Sequence, residues 1–292
     1  MTRVGYLPIH SMKNIRRRGK AIESKTQILA VIGTAILIAF IAWISIKPSH
    51  DRNWNIDQAI LPEAEINGSL VHIKNIRNFT YRSTSDYTPG YYDKTFDLAK
   101  LERVYYIVEP FSDFKGAAHT FVSFEFEGPE FVAVSTEIRK EQGETFSAFN
   151  GLFKRYELMY VIADERDAVK LRSNYRKDDV FIYPIKTTKE RMQTMFLSLM
   201  ERTNELKEQP EFYNTLTNTC TTNIVSHVNT VVPGRVPLDP RILFPGYSDK
   251  FAYELGLIDT NLSFEESRQK FRINERAEKY ADHPDFSEKI RQ

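Results

Sequence analysis

The residues best suited to chemistry in this chain are a cysteine and a histidine that precedes it. Cys220, the only cysteine, lies in the run F-Y-N-T-L-T-N-T-C-T-T-N-I that starts at Phe212. His119 lies in the strand-like run A-H-T-F-V-S-F-E-F that starts at Ala118. Threonine and asparagine directly before a residue are typical of a helix N-cap, and the free N–H groups and dipole of a first turn favour thiolate over thiol. The pattern predicts a thiol nucleophile, Cys220, with His119 as its base.

His119 is the best of the six histidines for this role. It lies on the less apolar face of a predicted central strand pair, where a titratable ring indicates a functional role. His227 shares a predicted helix with the cysteine, but seven residues at about 1.5 Å each separate the two by roughly 10 Å. His72, on an earlier strand, stays possible. The others are expected on the cytoplasmic side, in a tether and in a charged tail: His10, His50 and His283.

Thiol catalysis also needs a third group that fixes the imidazole tautomer. Glu137, in the run S-T-E-I-R, points to the same side of its strand as Ser135. A hairpin turn near residues 127–130 would bring Glu137 close to His119. Glu125 is the alternative acid, and either acid can equally be a surface charge.

Asn218 lies two positions before the predicted nucleophile. We expect its side chain to serve either as the helix cap or as a polar group near an oxyanion. The backbone N–H of Cys220 would be one oxyanion donor. We predict neither a metal ion nor an organic cofactor, because the lone cysteine and scattered histidines lack the close pairs of zinc sites and no glycine-rich phosphate loop is present.

The N-terminal region predicts a membrane anchor. Residues 28–46 form an uncharged run of 19 residues, close to the length that crosses a bilayer as a helix. Residues 1–27 form a basic segment, with seven basic residues and one acidic residue in the first 25, which predicts a cytoplasmic N-terminus. A cleaved signal peptide is the alternative, but the apolar run exceeds the usual core of about 7 to 15 residues. We therefore predict a single-pass membrane protein whose domain lies outside the cytoplasm.

The charge beyond the anchor excludes one class of partner. After residue 25 the chain holds 33 basic and 38 acidic residues, a formal charge of −5, which argues against nucleic acid. A single cysteine cannot form an intramolecular disulfide, so an unpaired thiol outside the cytoplasm risks oxidation unless it has a use. A structural buried cysteine is the alternative interpretation.

Residues 47–68 contain prolines and have little periodicity, which indicates a tether. For residues 69–262 we predict one α+β domain with an antiparallel sheet and packed helices. The run T-P-G-Y-Y-D from Thr88 predicts a loop. Residues 263–292 are charged and predict a solvated surface helix that Ser263 and Glu266 cap, followed by a tail. Strands are predicted from six starting points: Leu70, Val104, Ala118, Phe131, Tyr156 and Val180.

Two helices are predicted in the second half of the domain. Thr187 to Glu208 is the clearest, because its apolar residues follow helical spacing, Thr187 and Glu190 form a capping-box pattern, and Pro210 stops it. Cys220 to Val231 is shorter, and Pro233 and Gly234 close it. The first helix is expected to pack on the sheet.

The motifs A-H-T-F, S-T-E-I-R, Y-E-L-M-Y-V-I-A-D-E-R-D and F-Y-N-T-L-T-N-T-C-T-T-N-I together resemble the Lnb-type N-terminal periplasmic domain family of bacterial envelope proteins. The resemblance runs from about Asp51 to Arg276. Together with the anchor, it implies a protein of the bacterial inner membrane whose domain lies in the periplasm. It implies a papain-like fold in circularly permuted order, with histidine before cysteine, as in NlpC-type proteins and relatives of lecithin retinol acyltransferase. It also implies that Cys220 carries an acyl chain taken from a phospholipid, with His119 as base, and passes it to a lipoprotein amine.

Three functions follow from these observations. The first is a membrane-anchored cysteine enzyme that works through an acyl-thioester, as an acyltransferase or a hydrolase with a lipid or lipoprotein substrate. The second is a thiol peptidase or amidase that acts on envelope peptides with the same two residues. The third is a non-catalytic interaction module in which Cys220 is only a small buried side chain.

Overall fold

The computed structural model describes residues 9–111 and 114–292, and side chains from residue 25 onward. It divides into two compact units, residues 1–47 and residues 48–292. The first unit contains one long helix, α1 (Ile9–Ser45). Within it, Lys25–Ser45 has a mean hydropathy of 2.6 and is long and apolar enough to cross a membrane. Most of the basic residues expected to set the topology, and His10, have side chains outside the described part.

The second unit is built on a large sheet, which confirms the expected α+β class. The described residues form ten strands: β1 (Glu63–Asn67), β2 (Leu70–Arg77), β3 (Thr80–Tyr81), β4 (Tyr87–Thr88), β5 (Tyr91–Asp97), β6 (Leu101–Pro110), β7 (Ala118–Phe126), β8 (Glu130–Arg139), β9 (Glu157–Ala163) and β10 (Phe181–Pro184). Eight of these strands join in the order β1-β2-β9-β8-β7-β6-β10, with β5 also paired to β2. All of these pairs are antiparallel except β2–β9, which is parallel.

Seven helices of the second unit follow the strands or lie between them: α2 (Glu165–Lys170), α3 (Lys189–Glu208), α4 (Cys220–Val231), α5 (Ser248–Glu254), α6 (Phe264–Phe271), α7 (Asn274–Lys279) and α8 (Phe286–Lys289). A π-helical turn, Leu171–Arg176, continues α2. One core packs α3 and α4 against the sheet through residues such as Phe124 and Phe196. A second core packs α7 and α8 against the other face through Phe121 and Phe286.

The alternation of side chains along β7 explains why two cores exist. Val122 and Phe124 belong to the first core, whereas Phe121 belongs to the second. Because successive side chains of a strand point to opposite faces, a strand covered by helices on both sides is apolar on both. β7 has the bounds predicted from the sequence, and so does α4.

The structure differs from the predicted tether. Residues 48–68 belong to the second unit, where Trp54 is 7% exposed and Gln58 is 5% exposed. The guanidinium of Arg139 lies 4.2 Å from the centre of the Trp54 ring, and Gln58 donates a hydrogen bond to the Ile138 carbonyl. The segment has no periodicity because it packs through single side chains, apart from β1, which pairs with β2.

Three further expectations are corrected. The run from Thr88 enters β5 rather than forming only a loop. The long helix α3 begins at Lys189, and its N-cap is Thr188, not Thr187. Ser263 and Glu266 do form a capping box, but that helix ends at Phe271, and the C-terminal region is not a solvated surface helix. Phe286 and Ile290 are fully buried there, because α7 and α8 fold back onto the sheet.

Candidate active site

Cys220 is the first residue of α4, as the sequence predicts. Thr219 is the N-cap and forms a capping box with Thr222: the Thr219 N–H donates to Oγ1 of Thr222 at 2.7 Å, and the Thr222 N–H donates to Oγ1 of Thr219 at 3.2 Å. The side chain of Cys220 is 9% exposed. A thiol in this position faces the free N–H groups of the first helical turn, which stabilise negative charge.

His119 is the second residue of β7, next to the returning strand β8. Phe121 pairs with Ser135, so the same register places His119 opposite Glu137. Nε2 of His119 lies 2.7 Å from Oγ of Ser135 and 3.2 Å from Oε1 of Glu137. The Ser135 hydroxyl in turn donates to Oε1 of Glu137 at 2.7 Å. The structure therefore brings His119 and Glu137 together through the hairpin predicted from the sequence.

Glu137 is held from its other side by Arg172 of the π-helical turn. Nη2 of Arg172 donates to Oε1 of Glu137 at 2.8 Å, and Nε donates to Oε2 of Glu109 at 2.5 Å. The Arg172 side chain is 3% exposed and that of Glu109 is fully buried. Burial opposes ionisation of Glu137, but the charges of His119 and Arg172 hold its pKa well below its ordinary value.

The thiol and the imidazole shift each other's titration. Burial opposes a charged ring, but the Glu137 carboxylate and a hydrogen bond to Cys220 raise the pKa of His119 to about 9. Burial also opposes a thiolate, but the hydrogen bond and charge of His119 lower the pKa of Cys220 to about 7. Since the thiol then loses its proton before the imidazolium does, a thiolate–imidazolium pair is favoured between these two values.

A cavity of about 490 Å³ opens onto these residues. His119, Glu137 and Cys220 all line it. The rest of its wall mixes aromatic with charged side chains, among them Phe111, Phe146, Tyr213, Lys140, Arg176 and Asp178. The thiol thus borders an open cavity with both aromatic and charged walls rather than a sealed apolar pocket.

The other predicted site residues lie elsewhere or make different contacts. Asn218 is not the helix cap, because Thr219 is; its Nδ2 donates to the Phe212 carbonyl at 3.1 Å and its Oδ1 accepts from Asn223 at 2.8 Å. Glu125, the alternative acid, accepts a hydrogen bond from the Tyr105 hydroxyl. It lies six residues from His119 on one strand, roughly 20 Å away.

The remaining histidines of the domain have structural contacts. His227 lies between the Tyr160 hydroxyl, 2.9 Å from Nε2, and Oγ of Ser198, 2.8 Å from Nδ1. His50 contacts the Leu206 carbonyl and the Arg139 guanidinium. Within residues 25–111 and 114–292, no three histidine, cysteine, aspartate or glutamate side chains lie close enough to hold a metal ion.

The sequence did not reveal Arg172, Glu109 or Ser135 as parts of the site. Ser135 could have been found, because it alternates with Glu137 on the face that His119 shares. Arg172 lies in a turn of π-helix and Glu109 in an apolar strand, so their meeting depends on how the turn packs on the sheet. No spacing signal marks that contact.

A comparison with protein-family models matches residues 87–246, more than half of the chain, to the family described as the Lnb N-terminal periplasmic domain. The matched span is shorter than the one expected from the sequence motifs, and it contains His119, Glu137, Asn218 and Cys220. No curated protein and no solved structure matches the chain.

Proposed function

The chain belongs to the Lnb N-terminal periplasmic domain family, and we propose that it is a thiol enzyme of the cell envelope that forms an acyl-thioester on Cys220. Together with the apolar span Lys25–Ser45, the family indicates a membrane-anchored periplasmic protein. A cytoplasmic N-terminus is part of the proposal. The observation that carries the enzymatic assignment is that Cys220, His119 and Glu137 line one open cavity, with the imidazole 3.2 Å from the carboxylate.

The proposed reaction begins with the Cys220 thiolate. It attacks the carbonyl carbon of an ester or amide, so that a C–S bond forms and the carbonyl oxygen becomes an oxyanion. Nε2 of His119 is bound to Ser135 and Glu137, which leaves Nδ1 to exchange a proton with the sulfur and the leaving group. When the oxyanion collapses, the C–O or C–N bond breaks and the leaving group takes the proton from His119.

The acyl group then leaves the enzyme by the reverse chemistry. Neutral His119 removes a proton from water or from an amine, which attacks the thioester carbon, and the C–S bond breaks to restore the thiolate. Water as acceptor makes the protein a hydrolase, and an amine makes it an acyltransferase. During both steps the proposed oxyanion donor is the backbone N–H of Cys220, at the start of α4. Asn218 is proposed as a further polar group near the oxyanion.

The proposal includes a papain-like arrangement in permuted order. Its support is a cysteine at the start of a helix that packs on the sheet, with the histidine earlier in the chain on an antiparallel strand. Thr120, directly after the histidine, and Thr221, directly after the cysteine, join the two elements through hydroxyls 2.9 Å apart. The lipid or lipoprotein substrate rests on the family resemblance.

A peptidase or amidase is the second candidate, and one observation favours it. The cavity wall carries charged groups, including Lys140, Arg176 and Asp178, which suit a polar substrate better than a bare hydrocarbon chain. A phospholipid would have to present its head group to these residues. A non-catalytic module is less favoured, because the thiol borders an open cavity.

The test is to trap the covalent intermediate. The full chain in lipid nanodiscs is incubated with phospholipid and, separately, with a set of envelope-type peptides, quenched in acid and analysed by intact mass. A hydroxylamine-sensitive acyl adduct in wild type, absent from Cys220→Ser, supports the proposal. A fatty-acyl adduct identifies a lipid donor, and a peptidyl adduct identifies the second candidate. No adduct with either substrate, together with ordinary thiol reactivity of Cys220, contradicts both.

A further inference from the structure

Large apolar side chains are exposed beside the mouth of the cavity. Phe146 is 46% exposed, Phe149 68%, Phe153 50% and Leu216 55%. We call these four residues the aromatic rim. Phe146 also lines the cavity, and the rings of Phe149 and Phe153 lie 5.0 Å apart. Single exposed apolar residues need no explanation, but a group of them next to a site marks an interaction surface.

The loop of residues 140–156 carries the three phenylalanines of the aromatic rim, and it is held against the segment that carries Leu216. The Thr215 hydroxyl donates to the Ala148 carbonyl at 2.7 Å, and the Ser147 N–H donates to the Tyr156 hydroxyl at 3.0 Å. Gly151 permits the close approach, because a Cβ there would lie 2.4 Å from Oγ1 of Thr215. The outward direction of the aromatic rings is therefore set by the fold.

The chain enters the domain at the same end of the sheet. The Ser49 N–H donates to Oε1 of Glu157 at 3.2 Å, and Arg52 forms ion pairs with Glu157 and Glu141. Glu157 is the first residue of β9 and pairs with Arg139, the last residue of β8. The loop of the aromatic rim connects these two strands, so the entry point and the aromatic rim share one edge of the domain.

This entry point must stay close to the bilayer that holds α1. The apolar span ends at Ser45, four residues before Ser49. Four residues reach at most about 14 Å even when fully extended. The edge of the domain that carries the aromatic rim is thus tied to the membrane surface by the covalent chain.

We propose that the aromatic rim inserts into the lipid interface, so that the cavity containing Cys220 opens at the membrane surface. Aromatic and leucine side chains on the apolar side of an interfacial element bury themselves at the boundary between head groups and acyl chains. The occupant of this surface is the lipid bilayer and not another protein. The proposal does not require Cys220 to be catalytic.

The test uses the lone cysteine of the chain. Cys220→Ser removes the native thiol, and Ala148→Cys places an environment-sensitive fluorophore beside Phe149 in the full chain, reconstituted into nanodiscs. The matched control is Glu127→Cys, an exposed position just past the far end of β7, roughly 26 Å from His119 along the strand. We expect a blue-shifted emission at position 148 that lipids spin-labelled high on the acyl chain quench, and neither effect at position 127.

A second variant keeps the result interpretable. Phe149→Ser with Phe153→Ser, made in the Ala148→Cys background, should abolish the quenching without lowering the thermal unfolding midpoint, because both side chains are already exposed. Equal quenching at positions 148 and 127 would overturn the proposal. A blue shift at 148 without quenching by lipid would also overturn it, since a protein would then cover the aromatic rim. Because these variants lack Cys220, the outcome is independent of the thioester experiment.

Discussion

His119 and Glu137 face each other on neighbouring antiparallel strands, with Nε2 of the imidazole 3.2 Å from Oε1 of the carboxylate. Ser135 lies between them, accepting from the ring and donating to the acid. Because Nε2 is occupied in this way, Nδ1 is the ring nitrogen that the proposed proton exchange with Cys220 would use. The orientation of the ring is therefore set before any substrate arrives.

Glu137→Gln should lower the pKa of His119. The carboxylate charge is the largest contribution that raises this pKa to about 9, and the amide removes that charge while keeping the shape. The His119 pKa should move toward or below its ordinary value and be followed by NMR of ¹³C-labelled histidine. Glu125→Gln, on the same strand face but bonded to Tyr105, is the control and should leave the titration unchanged. An unshifted His119 in Glu137→Gln would show that the carboxylate does not support the imidazolium.

Arg172→Met should destabilise the domain by about 3 to 5 kcal/mol, because it leaves the buried Glu109 carboxylate without its closest partner. Unfolding by urea measures this cost. Adding Glu109→Gln should recover part of it, since a neutral amide is cheaper to bury than a carboxylate whose remaining partner is the partly exposed Arg176. Arg82→Met, which breaks the exposed pair with Asp86, should cost far less, because solvent screens that pair. Equal costs for the buried and exposed arginines would contradict the interpretation.

The buried ring of His227 should make the domain less stable in acid, independently of the candidate active site. Burial lowers its pKa to about 4, so the folded protein leaves it neutral while the unfolded chain takes up a proton from about pH 6.5 downward. Its contribution to stability is therefore complete above pH 6.5 and is lost as the pH falls toward 4. The loss should be on the order of 2 to 3 kcal/mol in wild type and absent from His227→Gln.

The measurement is the free energy of unfolding across that pH range. His72→Gln, which removes a surface histidine bonded to Thr95, is the control and should keep the wild-type slope. Subtracting the unfolding free energy of one variant from that of the other at each pH removes the contribution of the carboxylates, which is the same in both. Identical slopes for wild type and His227→Gln would mean that this ring is not kept neutral by the fold.

Ile290→Ala tests the packing of the C-terminal region. Ile290 is fully buried in the second core, and truncating such a side chain costs roughly 2 to 5 kcal/mol. Glu288→Ala, two residues away in the short last helix, is the control. If Ile290→Ala unfolds at the same urea concentration as wild type, the C-terminal region does not belong to the cooperative unit.

Periodicity and capping patterns are sufficient to predict much of this fold from the sequence. β7 and α4 have the predicted bounds, because a strand-like run that ends in turn residues and a threonine cap before a cysteine are local signals. The meeting of His119 with Glu137 was also predictable, since a short hairpin fixes which residues face each other. These inferences needed only contacts between neighbouring elements.

The failures involve contacts that local sequence does not encode. Residues 48–68 have the sequence features of a tether because Trp54 and Gln58 pack singly, without a repeating pattern. The C-terminal region has a charged composition, yet Phe286 and Ile290 supply its buried face. Arg172 joins Glu109 to Glu137 only because a π-helical turn packs on the sheet. Such long-range packing has no periodic signature along the chain.

The most direct test of the central claim is the rate of Cys220 alkylation as a function of pH in the full chain, measured by mass spectrometry for wild type and His119→Ala. Wild type should reach half its maximal rate near pH 7, because His119 lowers the pKa of the thiol to about 7. In His119→Ala the midpoint should rise toward the roughly 8.5 of a free thiol or above it, since burial is then opposed only by the hydrogen bonds of Thr120 and the start of α4. A midpoint that is the same in both proteins would contradict an activated Cys220–His119 pair.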